Sequence, residues 1–381
     1  MAEAARRPWR RLLHVFSTFD VGGPQIRFVQ LVRGLGDAFE HQVLAMNGEN
    51  RTMERLPAGA PVELVPFAHD KGEPLRNLWR FRRRLAALRP DLLVTYNWGA
   101  VEWGLVNALA PVCPHVDVED GFGPEEAERP LPRRTRLRRF VYGRARCVVV
   151  PSRTLQAIAR DAWGLPDERL IYLPNGIRTE ELAAPPDRAL LAAHGLARDE
   201  PVIGTLAALR PEKNLGRLLE AFRLGVVAPG RPGHLAIIGD GPERAALEAR
   251  ASKPDLAGRV TFTGYLDRPG RLLGAMTAYA ISSDTEQMPI SLVEAMAAGL
   301  PVASTDVGDV ATMVAEGNRR HVRGREAGPL AESLAALLDD PAGAAALGAA
   351  NRERARQEFA EDVMVERYRR IFSGEALPTG A

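Results

Sequence analysis

Five short apolar runs in the C-terminal half most restrict what this chain can become. They are PVIGTLAAL (201–209), HLAIIGD (234–240), RVTFTG (259–264), AYAISSD (278–284) and PVASTD (301–306). Helix-like stretches lie between them, at 214–226, 242–253, 267–275 and 289–299. The runs are continuously apolar rather than alternating, which is the pattern of strands covered on both faces. Strand and helix alternating at this spacing predict an α/β fold with a parallel, doubly wound sheet. The N-terminal half repeats the theme less cleanly. Its candidate strands are 12–17, 41–46, 62–67, 91–96, 115–120, 147–152 and 169–174, with helical stretches at 24–35, 73–89 and 98–109. Two such sheets fit a chain of 381 residues. The join is expected near PNGIRTEELAAPPDR (174–188), where apolar periodicity lapses and prolines gather. That gives domains at 1–180 and 181–356. A last segment, 357–381 with a helix over 357–372, is expected to pack back on the first domain.

Composition narrows the function classes. Apolar residues make up 46% and the formal charge is only +2, which does not suggest a nucleic-acid binder. Arginine is nevertheless dense in RRPWRR near the start, RFRRRL (80–85) and RRTRLRRF (133–140). Such runs read as solvated helix faces or as attraction to anionic lipid or a phosphorylated acceptor. Cys113 and Cys147 are the only cysteines and cannot make a disulfide framework, so a reducing cytoplasm fits. LLHVF near the start is too short for a signal peptide, and no apolar run reaches the 18 residues that a spanning helix needs. His14, His41, His69 and His234 show no metal-ligand spacing.

In open α/β sheets ligands bind beyond the carboxyl ends of strands, where helix amino ends point. SSDTEQMPISLVEAMAAGLPVAST (282–305) holds Glu286 and Glu294 there, with seven residues between them. Pro289 suits a first helical turn, Gly299 the position just past a helix, and Pro301 forbids continuation. A short helix over 289–298 follows, with Glu286 on the loop before it and Glu294 inside it. One reading rests phosphates on the helix amino end, with a carboxylate on each side accepting from ligand hydroxyls. The other is a solvated loop residue and a locally paired helix residue. LRPEKN (209–214) puts Arg210 and Lys213 beyond a strand, as diphosphate partners or as ordinary surface charges. Gly239 in IIGDGPE permits close backbone approach. FTGYLD (262–267) sets the backbone of Tyr265 and Leu266 where a base edge could lie.

Taken together and in this order, these motifs resemble the donor half of retaining glycosyltransferases of the GT-B fold, family 4. The Glu-x7-Glu pair followed by EAMAAGLPVAST is the most specific part. The resemblance implies two facing Rossmann-like domains with a cleft between them, the first for the acceptor and the second for a nucleotide-sugar donor. It implies that Glu286 holds the donor sugar, Glu294 the ribose, and the amides around Met288, Ile290 and Ser291 the diphosphate. LPNGI (173–177) matches the family's inter-domain hinge. FDVGGPQIRFVQLVRGL (19–35) resembles its glycine-rich loop, with Gly22 and Gly23 approaching the donor phosphate. The implied reaction needs no metal and no cofactor. Its donor is a UDP- or GDP-sugar, its acceptor a sugar or lipid-linked hydroxyl, and its place the cytoplasm or the inner membrane face. Polysaccharide or glycolipid assembly is the implied role.

Two positions depart from the family pattern. Ala208 stands where an arginine is common, and Asp120 where a histidine after a strand is common. Asp120 then becomes the candidate sugar-side catalytic group. Asn97 and Trp98, after another strand, line the acceptor side or pack in the core. A GT-B epimerase of sugar nucleotides, which needs no acceptor, and a non-catalytic nucleotide-sugar binding subunit are the competing readings.

Overall fold

The computed structural model describes residues 10–67, 72–121, 131–266 and 269–375. The chain divides into one unit of residues Met1–Gly176 with Asp362–Ala381 and another of residues Ile177–Glu361. These joins lie within a few residues of the sequence-based boundaries.

The first unit is built on a fully parallel sheet. Its strands are β1 (Arg11–Phe16), β2 (Glu40–Ala45), β3 (Val62–Leu64), β4 (Leu92–Tyr96), β5 (His115–Val118), β6 (Cys147–Val150) and β7 (Leu170–Tyr172). Among the described residues their order is β3-β2-β1-β4-β5-β6-β7. The order reverses between β1 and β4, which pair from Leu12↔Leu92 to Val15↔Thr95. β4 and β6 are buried along their whole length, so their continuous apolarity reflects helices on both faces. On one face Phe16, Phe28 and Val43 pack with Tyr368, Ile371 and Phe372 of the last helix, Glu361–Phe372. On the other, Phe81 of helix Pro74–Leu88 stacks on Trp103 of helix Val101–Leu109, ring centroids 5.2 Å apart.

The second unit repeats the plan. It holds β8 (Val202–Leu206), β9 (His234–Ile238), β10 (Val260–Gly264), β11 (Ala278–Ile281), β12 (Val302–Thr305) and β13 (Val322–Arg323). All pair in parallel, in the order β10-β9-β8-β11-β12-β13. Here the reversal falls between β8 and β11. Two Rossmann-like sheets of the same order therefore account for both halves of the chain.

Several local expectations are corrected. Pro289 precedes the helix instead of starting it, with ψ 115° and the helix running Ile290–Ala297. The helix expected at 214–226 is Leu215–Phe222 followed by a π-turn over Arg223–Val227. The helix expected at 357–372 breaks at Phe359–Ala360, where Ile177 pairs with Ala360 as in a strand: the Ile177 N–H donates to Phe359 O and the Glu361 N–H to Ile177 O. Helices Ala327–Asp339 and Pro341–Glu358 and strand β13 carried no recognised signal. Alanine dominates those helices, which blunts the apolar period that pattern reading depends on.

Two buried polar groups were read too lightly in the sequence. His14 and His41 form a buried chain with Tyr96, at 3.0 and 3.1 Å, and burial pushes both imidazoles towards the neutral form. His69 lies outside the described residues. In the arginine run 133–140, Arg138 is 1% exposed and lies 3.7 Å from the buried Glu119, so that helix is not simply a solvated face.

Candidate functional site

Four loops of the second unit bring the candidate residues to the carboxyl edge of its sheet. Lys213 and Arg210 follow β8, Gly239 follows β9, Tyr265 and Leu266 follow β10, and Glu286 follows β11. β8 and β11 are the strands that flank the reversal in strand order. Helices leaving such a pair go to opposite faces of the sheet, so a crevice opens between their loops.

Glu286 is the best-held group there. Lys213 Nζ donates to its Oε1 at 2.6 Å, and Ser283 Oγ donates to the same oxygen at 2.7 Å. Ser283 is itself fixed by its carbonyl, which accepts from Thr305 Oγ1 on β12 at 2.8 Å. Both donors converge on Oε1. The Glu286 side chain is only 11% exposed. The backbone beneath it is clamped as well. Asp309 N–H donates to Gln287 O, and Gly308, at φ 53°, sits so close that a Cβ there would lie 2.4 Å from Glu286 O. Any side chain at 308 would push the glutamate loop outward.

Lys213 is presented by a short 3₁₀ turn, Pro211–Lys213, which ends at Asn214 in the left-handed region. Asn214 caps the next helix, and its amide donates to Asp284 at 3.1 Å. Arg217 joins Asp284 as well, at 2.6 Å, and reaches the Ser282 carbonyl. The β8 and β11 loops are thus tied by an ion-pair lattice that spacing in the sequence did not reveal. Arg210 lies at the start of the 3₁₀ turn, exposed. Of the two predicted cations, only Lys213 is joined to Glu286.

Helix Ile290–Ala297 supplies the rest. Its first N–H groups have no intrahelical acceptor by construction, so its amino end is electropositive. Met288 is buried, whereas Ile290 is 38% exposed at that end. Ser291 lines a small pocket with Tyr279, Thr205, Lys213 and Glu286. The Tyr279 hydroxyl donates to the Leu206 carbonyl and accepts from its N–H, both at 3.2 Å, and burial pushes its pKa up. Glu294 sits one turn further in. Burial raises its carboxyl to about 7, and no ion pair offsets that among the described residues. A half-buried carboxylate without a cation is costly unless a ligand donates hydrogen bonds to it.

The glycine after β9 has a different reason from the one expected. Gly239 has φ 137°, and a Cβ there would lie 2.0 Å from Ala207 O. Its close backbone approach is to the chain's own β8 loop. Tyr265 is 77% exposed, and Leu266 packs partly against the core, which leaves the backbone between them at the surface.

In the first unit, Gly22 is extended at φ −162°, and a Cβ on Gly23 would meet open space. Asp120 follows β5, and its carboxylate is gripped by both terminal nitrogens of the buried Arg27 at 2.5 and 2.7 Å. Arg27 NH1 also donates to Asn175 Oδ1 at 2.7 Å, within the LPNGI segment. Asp120 is therefore the partly exposed arm of an ion pair whose other arm, Arg27, is buried. Asn97, at φ 58°, accepts from the Asp120 N–H through Oδ1 at 2.7 Å. Trp98 is half-buried, with Arg134 and Arg138 guanidiniums 4.9 and 5.0 Å from its ring centre. Arg27 was legible only as part of the quoted glycine-loop helix, because its partners lie far along the chain.

Comparison with known proteins assigns both halves. Residues 22–176 match the model described as "Glycosyl transferase 4-like domain", and residues 187–354 the one described as "Glycosyl transferases group 1". A GDP-mannose-dependent monoacylated alpha-(1-6)-phosphatidylinositol monomannoside mannosyltransferase of Corynebacterium glutamicum is 30% identical over 216 residues, 54% of this chain. The chain spans only 56% of that relative's length. A 2-deoxystreptamine N-acetyl-D-glucosaminyltransferase of Streptomyces fradiae is 27% identical, over 76% of this chain and 75% of its own. Among solved structures, Anabaena Alr3699/HepE in complex with UDP superposes with a TM-score of 0.79 at 19% identity, covering 96% of this chain and 100% of that one. Matching family models on both halves, together with this shared fold, make the chain a member of the family 4-like glycosyltransferases of the GT-B fold.

Proposed function

We propose that the chain transfers a sugar from a nucleotide-sugar donor to a hydroxyl acceptor, with retention of anomeric configuration and without a metal ion. The observation that carries this is the Glu286 arrangement. One oxygen is saturated by Lys213 and Ser283, and Glu286 lines the same small pocket as Ser291 in the first turn of helix Ile290–Ala297. A donor diphosphate would rest on that helix end beside Lys213, and the donor sugar's hydroxyls would donate to Glu286 Oε2. The ribose diol would donate to Glu294 and so offset its desolvation. Tyr265 and Leu266 would meet the base through their backbone.

Chemically, the arrangement favours departure of the diphosphate. Lys213 and the helix amino end stabilise the charge that grows on the leaving oxygen. The acceptor hydroxyl adds to the anomeric carbon on the face the phosphate leaves, and the departing phosphate oxygen takes the acceptor's proton. Asp120 and Arg27 act as a rigid support rather than as proton carriers. A UDP- or GDP-sugar donor is supported by the names of the Corynebacterium relative and of the Anabaena complex. A lipid-linked acceptor, as in glycolipid assembly, is supported by the first of these.

A thermal-shift screen with UDP-, GDP-, ADP- and TDP-sugars tests the donor site, because a ligand of the native state raises its melting point. One or more should stabilise the wild type, and Glu286→Ala should abolish the shift. Shifts in neither protein, or equal shifts in both, would overturn the assignment. Turnover with a stabilising donor and a saccharide or lipid acceptor panel then tests transfer.

A further inference from the structure

We propose that the outward face of helix Pro74–Leu88 is a docking surface for an anionic lipid bilayer. Asn77, Phe81 and Leu85 of this helix are buried. By 3.6-residue spacing, Leu75, Trp79, Arg82, Arg83 and Ala86 lie on the opposite side. Leu75 is 81% exposed and Trp79 is 61% exposed, so two large apolar side chains one turn apart face solvent. They are embedded in positive charge. Residues 73–89 hold six arginines, at 76, 80, 82, 83, 84 and 89, against the single acid Glu73. Glu73 is shared between Arg76 at 2.9 Å and Arg80 at 4.0 Å. Arg83 lies 5.4 Å from the centre of the Trp79 ring, which leaves its guanidinium beside the apolar stripe.

A surface of this kind asks for a partner that is apolar and anionic at once. The boundary between lipid headgroups and acyl chains offers both: phosphates for guanidiniums, and a layer for indole and isobutyl groups to enter. A second copy of the same face does not fit, because like charges would be brought together. The other arginine-rich helix, Pro132–Tyr142, lacks the combination. Its apolar residues pack into the core, Arg138 is buried, Arg134 stacks on Trp98, and Arg139 donates to the Ala162 and Trp163 carbonyls. The structure thereby distinguishes two arginine runs that look alike in the sequence. The surface goes beyond the transfer reaction, since nothing in donor binding requires it.

Co-sedimentation of the full chain with phosphatidylcholine vesicles, with and without phosphatidylglycerol, tests it. The wild type should sediment with the anionic vesicles, not with the neutral ones, and high salt should release most of it. The double variant Leu75→Ser/Trp79→Ser keeps every arginine and should partition about tenfold more weakly. Its nucleotide-induced thermal shift, if the wild type shows one, should be unchanged, which separates this proposal from the donor site. Three results would overturn it: no sedimentation with anionic vesicles, equal partitioning of the double variant, or concentration-dependent self-association that the double variant abolishes. The last would make the face a contact between copies of the chain.

Discussion

Glu294→Gln should make the unliganded protein more stable at pH 8 and leave it nearly unchanged near pH 4.5. The wild-type carboxyl is raised from 4.5 to about 7 by burial. A folded-state pKa above the unfolded one means that the native protein binds the proton more tightly. The resulting stability is fully present below about pH 4.5 and is lost as pH rises through 7. At about 1.4 kcal/mol per tenfold change in proton affinity, that rise sets an upper bound of roughly 3 kcal/mol at pH 8. Structural relaxation and water entry bring the effect to about 1–3 kcal/mol. For a unit of this size that is a rise of about 3–9 °C in melting temperature. Glutamine keeps the shape without the charge, so the variant should lose the part of the pH dependence between 4.5 and 7 that comes from Glu294, while that of the buried His14 and His41 remains. Scanning fluorimetry from pH 4.5 to 8.5 on both proteins measures this. The same substitution should cut nucleotide-sugar affinity at pH 8, because a neutral amide accepts diol hydrogen bonds more weakly than a carboxylate. A variant no more stable than wild type at pH 8, or one that retains the wild-type pH slope, would refute the view that Glu294 is half-buried without a cation.

Other substitutions probe the remaining supports. Lys213→Ala should lower turnover more than tenfold while the circular dichroism spectrum stays native, since the side chain is part-exposed and its loss leaves the helices intact. Gly308→Ala should destabilise by about 1–3 kcal/mol and abolish the donor-induced thermal shift, because a Cβ would strike the Glu286 and Gln287 carbonyls in a left-handed backbone. Arg27→Leu should cost about 3–5 kcal/mol by chemical denaturation, because Asp120 and Asn175 lose their shared donor inside the protein. The double variant Arg27→Leu/Asp120→Leu should recover part of that loss, whereas an independent catalytic role for Asp120 would show as lost turnover with no such recovery.

The candidate residues of the second unit were legible because each lies just after a strand, and strands buried on both faces announce themselves by unbroken apolar runs. Glu286, Lys213 and Tyr265 could be placed at one sheet edge without coordinates. Ser283 was passed over although it stands in the quoted AISSD run, because a serine at a strand end carries no sign of whom it bonds. The pairing of Asp120 with Arg27 was not legible because Arg27 lies in another motif altogether.

The alternation of apolar runs with helical stretches determined by itself that the chain forms parallel sheets in two units, and put Glu286 and Lys213 just beyond the strands of the second. Only the tertiary structure decided that Lys213 and Ser283 meet on one Glu286 oxygen, that Asp120 is pinned by Arg27, and that Arg138 is buried while Trp79 and Arg83 face outward. The first kind of information is periodicity, written in neighbouring residues. The second depends on which strands lie side by side and which helix face meets the sheet, so it exists only once distant parts of the chain have packed.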